Sequence, residues 1–207
     1  MLEIEPGVRL YRGFFDFSRQ DSLVRDIERV IARAPLFTPR MPRTGKAFSV
    51  RMTNCGPFGW VSDAARGYRY EPHHPETCEP WPVMPRVLLE AWEELASYPL
   101  PPQACLVNLY HAEARMSLHQ DRDEKDFEAP ILSVSLGADC RFRLGGSKRS
   151  DPTRTFVLSS GDAMTLGGPA RLRFHGVDKL LPALSPRFAS PLLANGERIN
   201  LTLRRVT

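Results

Sequence analysis

No run of 18 apolar residues occurs anywhere in the 207-residue chain, so a membrane-spanning helix is excluded. The opening Met1-Leu-Glu-Ile-Glu has neither the basic region nor the apolar stretch of a secretory signal, and a cytoplasmic protein is expected. Sequence repeats, low-complexity tracts and flexible linkers are missing too, which removes solenoids and fibres from consideration. Cysteine is sparse. Cys55, Cys78, Cys105 and Cys140 are scattered without a CxxC pair, and free thiols are the plain reading; a zinc site or two disulfides stay open. With five histidines in all, an imidazole-based centre has few members to draw on.

What is present describes a globular protein with one substantial core: 42% of residues are hydrophobic and 25% charged. The net charge of +4 is unevenly spread. Residues 36–70 hold six Lys/Arg against the single acid Asp63, whereas 101–136 hold three basic and six acidic residues. Residues 137–207 are basic again, with twelve cations and five acids. A basic rim around an acidic segment suits a polyanionic partner, although a merely basic globular protein fits the same count.

Within the acidic segment lies Ser117-Leu-His-Gln-Asp121. In an extended segment His119 and Asp121 point to one side, with Leu118 and Gln120 facing away. His175 follows at the end of another strand-like run, Arg171-Leu-Arg-Phe. Two imidazoles and a carboxylate are the facial triad that holds Fe(II) with open positions for small ligands. The spacing alone equally fits polar groups at a strand end.

The remaining pattern predicts mainly β structure with flanking helices. Ile4 to Tyr11 reads as a strand. Ser18 is the expected cap of a helix to about Ala34, with Leu23, Val24, Ile27, Val30 and Ile31 on one stripe and Pro35 as the stop. Residues 35–46 read as a basic loop, Phe48–Met52 as a strand, and Thr53 to Trp60 as turn-rich. Gly67 to Tyr70 is a second extended run, so 48–70 resembles a hairpin. Its Trp60 and Tyr68 suit stacking on bases, with Arg51, Arg66 and Arg69 near phosphates; a small satellite core is the competing reading. Residues 71–85 carry five prolines and are expected to be irregular, with His73 and His74 facing solvent. Pro85 opens a second helix whose buried side is Val87, Leu88, Ala91, Trp92 and Leu95. From 105 onward, short strands are expected at 105–110, 116–121, 131–136, 140–144, 154–158, 162–166, 171–174 and 198–206, punctuated by glycines. That series fits a double-sheet jelly roll.

The last strand alternates strictly. Arg198, Asn200, Thr202 and Arg204 share one face, and Ile199, Leu201 and Leu203 the other. If the polar face turns inward, its arginines need anionic partners, and a dicarboxylic ligand would supply them bidentately. Asn108 and Tyr110 place an amide and a phenol on one face of 105–110 in the same way. An outward polar face is the alternative.

Taken together, Asn108-Leu-Tyr110, Met116-Ser-Leu-His-Gln-Asp-Arg-Asp-Glu124, Ala129–Gly137, Phe142–Arg149, Gly161-Asp162, His175-Gly176 and Arg198-Ile-Asn-Leu-Thr-Leu-Arg204 resemble the AlkB family of Fe(II)/2-oxoglutarate dioxygenases. Met52–Trp60 and Gly67-Tyr68 resemble that family's nucleotide-gripping lid, and the resemblance spans essentially the whole chain. It implies a double-stranded β-helix (jelly roll) at 101–207. Preceding it, residues 1–100 would carry two helices and the lid at about 36–80, and the whole would form one compact catalytic unit. It implies His119, Asp121 and His175 as iron ligands, and Asn108, Tyr110, Arg198, Asn200 and Arg204 as 2-oxoglutarate contacts. Arg198 would hold the distal carboxylate, and Arg204 the end nearer the iron. Trp60, Tyr68 and Asp123 match substrate-side positions, and Arg149 a position near the damaged strand's backbone. Where the related bacterial enzyme has an aromatic after its Gly-Asp pair, this chain has Leu166, which leaves the packing near the iron open.

The implied reaction uses Fe(II), O2 and 2-oxoglutarate to demethylate 1-methyladenine and 3-methylcytosine in single-stranded or duplex DNA and in RNA, and releases succinate, CO2 and formaldehyde. A monomer that does not engage membranes is expected. Competing readings are a dioxygenase acting on a protein or metabolite, a demethylase tuned to RNA or etheno adducts, and a nucleic-acid-binding jelly roll with a structural metal.

Overall fold

The computed structural model describes residues 1–181 and 188–207. Its strands are β1 (Leu2–Glu5), β2 (Val8–Tyr11), β3 (Arg51–Cys55), β4 (Gly59–Asp63), β5 (Gly67–Glu71), β6 (Ala104–Tyr110) and β7 (Met116–His119). They continue with β8 (Ile131–Gly137), β9 (Cys140–Leu144), β10 (Arg154–Leu158), β11 (Ala163–Leu166), β12 (His175–Leu180) and β13 (Arg198–Arg204). Helix α1 spans Phe17–Arg33 and α2 spans Arg86–Leu95. A seven-stranded sheet in the order β1-β2-β11-β8-β13-β6-β3 faces a four-stranded sheet, β10-β9-β12-β7, and β4 and β5 form a separate hairpin. This is the expected jelly roll. Among the described residues no helix is long and apolar enough to cross a membrane.

Side-chain parity in the large sheet sorts residues between two cores. Cys105, Val107 and Leu109 of β6, Leu132, Val134 and Leu136 of β8, and Ile199, Leu201 and Leu203 of β13 pack against α1 and α2. Each fully buried aliphatic here contributes about 1.5–3 kcal/mol relative to exposure. The opposite parity turns inward, where Tyr110, Ile131, Met164 and Leu166 meet Phe142, Leu144 and Val177 of the small sheet. Leu166 thus fills the inter-sheet core as an aliphatic and is 2% exposed. The polar row of β13 belongs to this inner face, so the outward alternative is overturned.

Several local expectations need correction. Asp16, not Ser18, caps α1, its Oδ1 accepting from Arg19 N at 2.8 Å. The first strand is a hairpin of two, turning at Pro6-Gly7, with β2 in the large sheet. The strand expected at Phe48–Met52 starts instead at Arg51 and runs to Cys55, because Thr53 and Asn54 are buried in the ladder with β6. Beyond His119 the strand expected to reach 121 stops, and 171–174 forms no strand, so His175 opens β12 rather than ending a run. His74 is buried, not solvent-facing. Its Nδ1 accepts from Glu76 N and Thr77 N, its Nε2 meets Pro35 O at 2.8 Å, and Phe37 and Trp81 press on the ring.

Candidate metal centre

His119 ends β7 and stands directly opposite His175, the first residue of β12. Gly176 allows this close pairing: a Cβ there would lie 2.4 Å from Met116 O. Each imidazole turns its Nδ1 to a backbone carbonyl, His119 to Ser117 O at 2.9 Å and His175 to Arg173 O at 3.0 Å. A carbonyl only accepts, so Nδ1 carries the proton and Nε2 keeps its lone pair free. Asp121 lies between them, with Oδ1 3.6 Å from His119 Nε2 and Oδ2 3.5 Å from His175 Nε2. The three ligand atoms lie within 4.8 Å of one another. Neutral imidazoles and an ionised carboxylate on adjoining segments match the donor set that Fe(II) takes in a facial triad.

Electrostatics favour the ligand-ready protonation states. Burial and the neighbouring His175 push the His119 imidazole down to about 4, although 37% of that side chain stays open. Burial alone would raise the Asp121 carboxyl. Arg204, at 2.7 Å from Oδ1, and the two imidazoles outweigh it and hold the group well below the usual carboxylate range.

The inner face of β13 continues outward from this point. Asn200 faces Asn108 on β6 and Ser135 on β8, and Arg198 faces Tyr110 and Gly137. Arg198 is 0% exposed. Its Nη2 donates to Ser135 Oγ at 2.7 Å and its Nη1 to Ala138 O at 3.2 Å, while its buried Nε has no partner. No carboxylate among the described residues pairs with it. A fully buried, unneutralised guanidinium is costly and fits a site built for an anionic group. Asn200 donates to Ser133 Oγ at 2.8 Å and to Val134 O at 3.2 Å, and accepts from Thr202 Oγ1. Burial raises the Tyr110 phenol, keeping it protonated as a donor.

The β4–β5 hairpin closes one side. Trp60 and Tyr68 stack with centroids 5.4 Å apart and planes at 22°. Trp60 is 8% exposed, edge-on to Phe48, with its backbone bracketed by Asn54, whereas Tyr68 is 48% exposed. Trp60 thus belongs to the satellite core that the sequence allowed, while Tyr68 faces out. Asp123 lies beyond the end of β7, so strand parity does not place it. Its Oδ2 instead accepts from Trp60 Nε1 at 2.7 Å. Arg69 is spent on Asp63 and Glu71, Arg66 bonds Glu71, and Arg51 bonds Leu36 O. Arg69 is thereby tied up within the hairpin, whereas Arg66 and Arg51 stay at the surface. Arg149 is exposed on the β9–β10 loop, its guanidinium 5.0 Å from the ring centroid of Phe174, the residue before His175.

Sequence reasoning missed the buried partners. Glu124 accepts from Arg204 Nη1 at 2.9 Å, from Arg171 Nη2 at 3.1 Å and from the Tyr70 hydroxyl. In an acidic run, nothing distinguished it from a solvated carboxylate. Tyr70 shares the parity of Tyr68, a signal that was available.

Comparison with known proteins agrees with this geometry. The model of the 2OG-Fe(II) oxygenase superfamily matches residues 7–204. The chain is 51% identical over 204 residues to the alpha-ketoglutarate-dependent dioxygenase AlkB homolog of Caulobacter vibrioides, covering 99% of this chain and 90% of that protein. It is 42% identical over 195 residues to the alpha-ketoglutarate-dependent dioxygenase AlkB of Escherichia coli, covering 92% and 87%. The solved structure of OsALKBH1 superposes with a TM-score of 0.80 at 28% identity, over 99% of this chain and all of that one. The chain therefore belongs to the 2OG-Fe(II) oxygenase superfamily, as an AlkB-type dioxygenase that works with Fe(II), 2-oxoglutarate and O2.

Proposed function

We propose that this dioxygenase removes N-methyl groups from 1-methyladenine and 3-methylcytosine in DNA and RNA, acting as one catalytic unit. Residues 1–100 would supply helices and lid, and 101–207 the jelly roll. The observation that carries the substrate class is the stacked Trp60–Tyr68 pair, joined through Trp60 Nε1 to Asp123, two residues from Asp121. A flat, cationic guest suits an aromatic platform beside a carboxylate.

In this reading His119 Nε2, Asp121 and His175 Nε2 hold the iron. Arg198, with Asn108, Tyr110 and Asn200, takes the distal carboxylate of 2-oxoglutarate, and Arg204 faces the end nearer the metal. When bound, iron and co-substrate supply the oxidation of the N-methyl carbon, with succinate, CO2 and formaldehyde as products. The protein's own contribution is position. Tyr68 and Trp60 fix the ring plane of an extruded base, and a blocked Watson–Crick edge lowers the cost of extrusion. Asp123 can accept from an exocyclic amino group while its other bond fixes the indole. Arg149 lies exposed for a backbone phosphate. The unpaired thiols support a cytoplasmic protein, and the chain is taken to act as a monomer.

Formaldehyde and succinate measured together on oligonucleotides carrying one 3-methylcytosine test the substrate class. Equal yields of both are expected. Succinate production indifferent to the oligonucleotide, with no formaldehyde, would instead place the substrate among proteins or metabolites.

A further inference from the structure

Asp121 sits where no ladder holds it. β7 ends at His119, and the segment between Gln120 and Pro130 has no regular secondary structure. A ligand on an irregular segment needs other restraints, because backbone freedom there costs about 1–2 kcal/mol per residue to suppress. One buried side chain supplies them. Arg171, 3% exposed, follows the 3-10 turn Gly168–Ala170 and reaches across to this segment. Its Nη1 donates to the backbone oxygen of Asp121 at 2.7 Å, its Nη2 to Glu124 Oε2 at 3.1 Å, and its Nε to Ala129 O at 2.9 Å. Three faces of one planar guanidinium thus pin the start, middle and end of the loop. Beside it, Gln120 Nε2 donates to Leu172 O at 2.5 Å, so the brace and the loop are zipped together next to the His119–His175 pair.

We propose that Arg171 is a positioning residue for the metal centre, fixing the main chain of Asp121 so that its carboxylate meets the two imidazoles. This rests on His119, Asp121 and His175 being the metal ligands. Arg171 contacts neither the ligand atoms nor the inner face of β13; it acts through the Asp121 carbonyl and through Glu124, which also accepts from Arg204. The same short stretch therefore delivers His175 as a ligand and, four residues earlier, the brace for Asp121. The fork geometry is what matters. A lysine keeps the charge, but its three N–H bonds radiate from a single nitrogen and do not reach acceptors spaced for a planar fork.

The test is Mn(II) binding to the whole chain under argon, followed by electron paramagnetic resonance, for wild type, Arg171→Met and Arg171→Lys. Outer partners of metal ligands typically govern affinity by about 10–100-fold. Arg171→Met is expected to weaken Mn(II) by that factor, and Arg171→Lys by less. Asp121→Ala, run beside them, must abolish binding. If it does not, the ligand assignment itself fails, whatever Arg171 does. In turnover, the half-saturating Fe(II) concentration should rise in Arg171→Lys by about the factor by which its Mn(II) affinity falls. The half-saturating 2-oxoglutarate at saturating iron should stay within about twofold, because Arg198 is untouched. A purely structural arginine would lower the melting temperature without this split. Mn(II) affinity within about twofold of wild type in Arg171→Met, or in Arg171→Lys should the methionine variant not fold, overturns the proposal.

Discussion

At the scale of single residues, the site is a set of charges placed before any ligand arrives. Arg198 is the clearest, a cation inside the protein with no carboxylate among the described residues paired to it and one N–H unserved. Arg198→Lys keeps the charge and loses the fork. It should raise the half-saturating 2-oxoglutarate concentration by about tenfold or more, as expected for a charge-assisted bond worth about 1.5–3 kcal/mol, with the iron requirement little changed. Equal shifts in both requirements would remove Arg198 from the distal carboxylate. Asp123 bears on lesion choice. The bases 1-methyladenine and 3-methylcytosine are cationic at neutral pH, whereas 3-methylthymine is not. Asp123→Asn should therefore lose more kcat/KM on 3-methylcytosine than on 3-methylthymine, measured in one oligonucleotide sequence at fixed salt. Equal losses would return Asp123 to a purely structural bond with Trp60.

His119 carries a pH dependence of the metal-free protein. Its imidazole is pushed down to about 4 in the fold against 6.5 ordinarily, so between those values the unfolded chain binds a proton that the folded chain refuses. Stability from this group is complete above about 6.5 and is lost as pH falls toward 4. The urea midpoint of metal-free wild type should drop from pH 7 to pH 5, and His119→Gln should show a shallower drop. Parallel slopes would contradict the shift.

At the scale of elements, what was readable followed from local periodicity. The strict alternation of β13 sorted its residues into one apolar and one polar face, while which of them turned inward was settled only by the packing of both sheets. The helical stripes of α1 and α2 were equally plain. What could not be read depended on distant contacts. Beyond the end of β7, Asp121 is bonded by Arg171 and Arg204, 50 and 83 residues away. His74 is buried because Phe37 and Trp81 happen to enclose it. The α1 cap was expected at Ser18, two residues late, because only the folded chain shows the Asp16 carboxylate reaching the Arg19 amide. A hairpin was expected over 48–70 with Phe48–Met52 as its first strand; β5 pairs instead with β4, which begins inside the stretch read as turn-rich, while β3 joins β6. The two aromatics of the β4–β5 hairpin should separate on substitution. Tyr68→Ala is expected to weaken single-stranded oligonucleotide binding by about 1–3 kcal/mol with little change in melting temperature, because the ring is half exposed. Trp60→Ala should lower both, since the indole also packs in the satellite cluster. A large fall in melting temperature for Tyr68→Ala with unchanged affinity would make the pair a structural stack.

At the scale of the molecule, the two sheets divide labour. The large sheet anchors the fold on α1 and α2 and turns Arg198, Asn200 and Arg204 inward; the small sheet and the loop beyond β7 bring His119, Asp121 and His175 to its mouth. The β4–β5 hairpin joins this centre through Tyr70, whose hydroxyl meets both Glu124 and Arg204. The central claim is that these three side chains hold the iron with which a methylated base is oxidised. The most direct measurement is formaldehyde released in a single turnover from a 3-methylcytosine oligonucleotide, with Fe(II) and 2-oxoglutarate, by wild type and by Asp121→Ala. The account predicts one formaldehyde per active site from wild type and none from the variant, with the variant's circular dichroism retained; formaldehyde from Asp121→Ala at the wild-type level would contradict it.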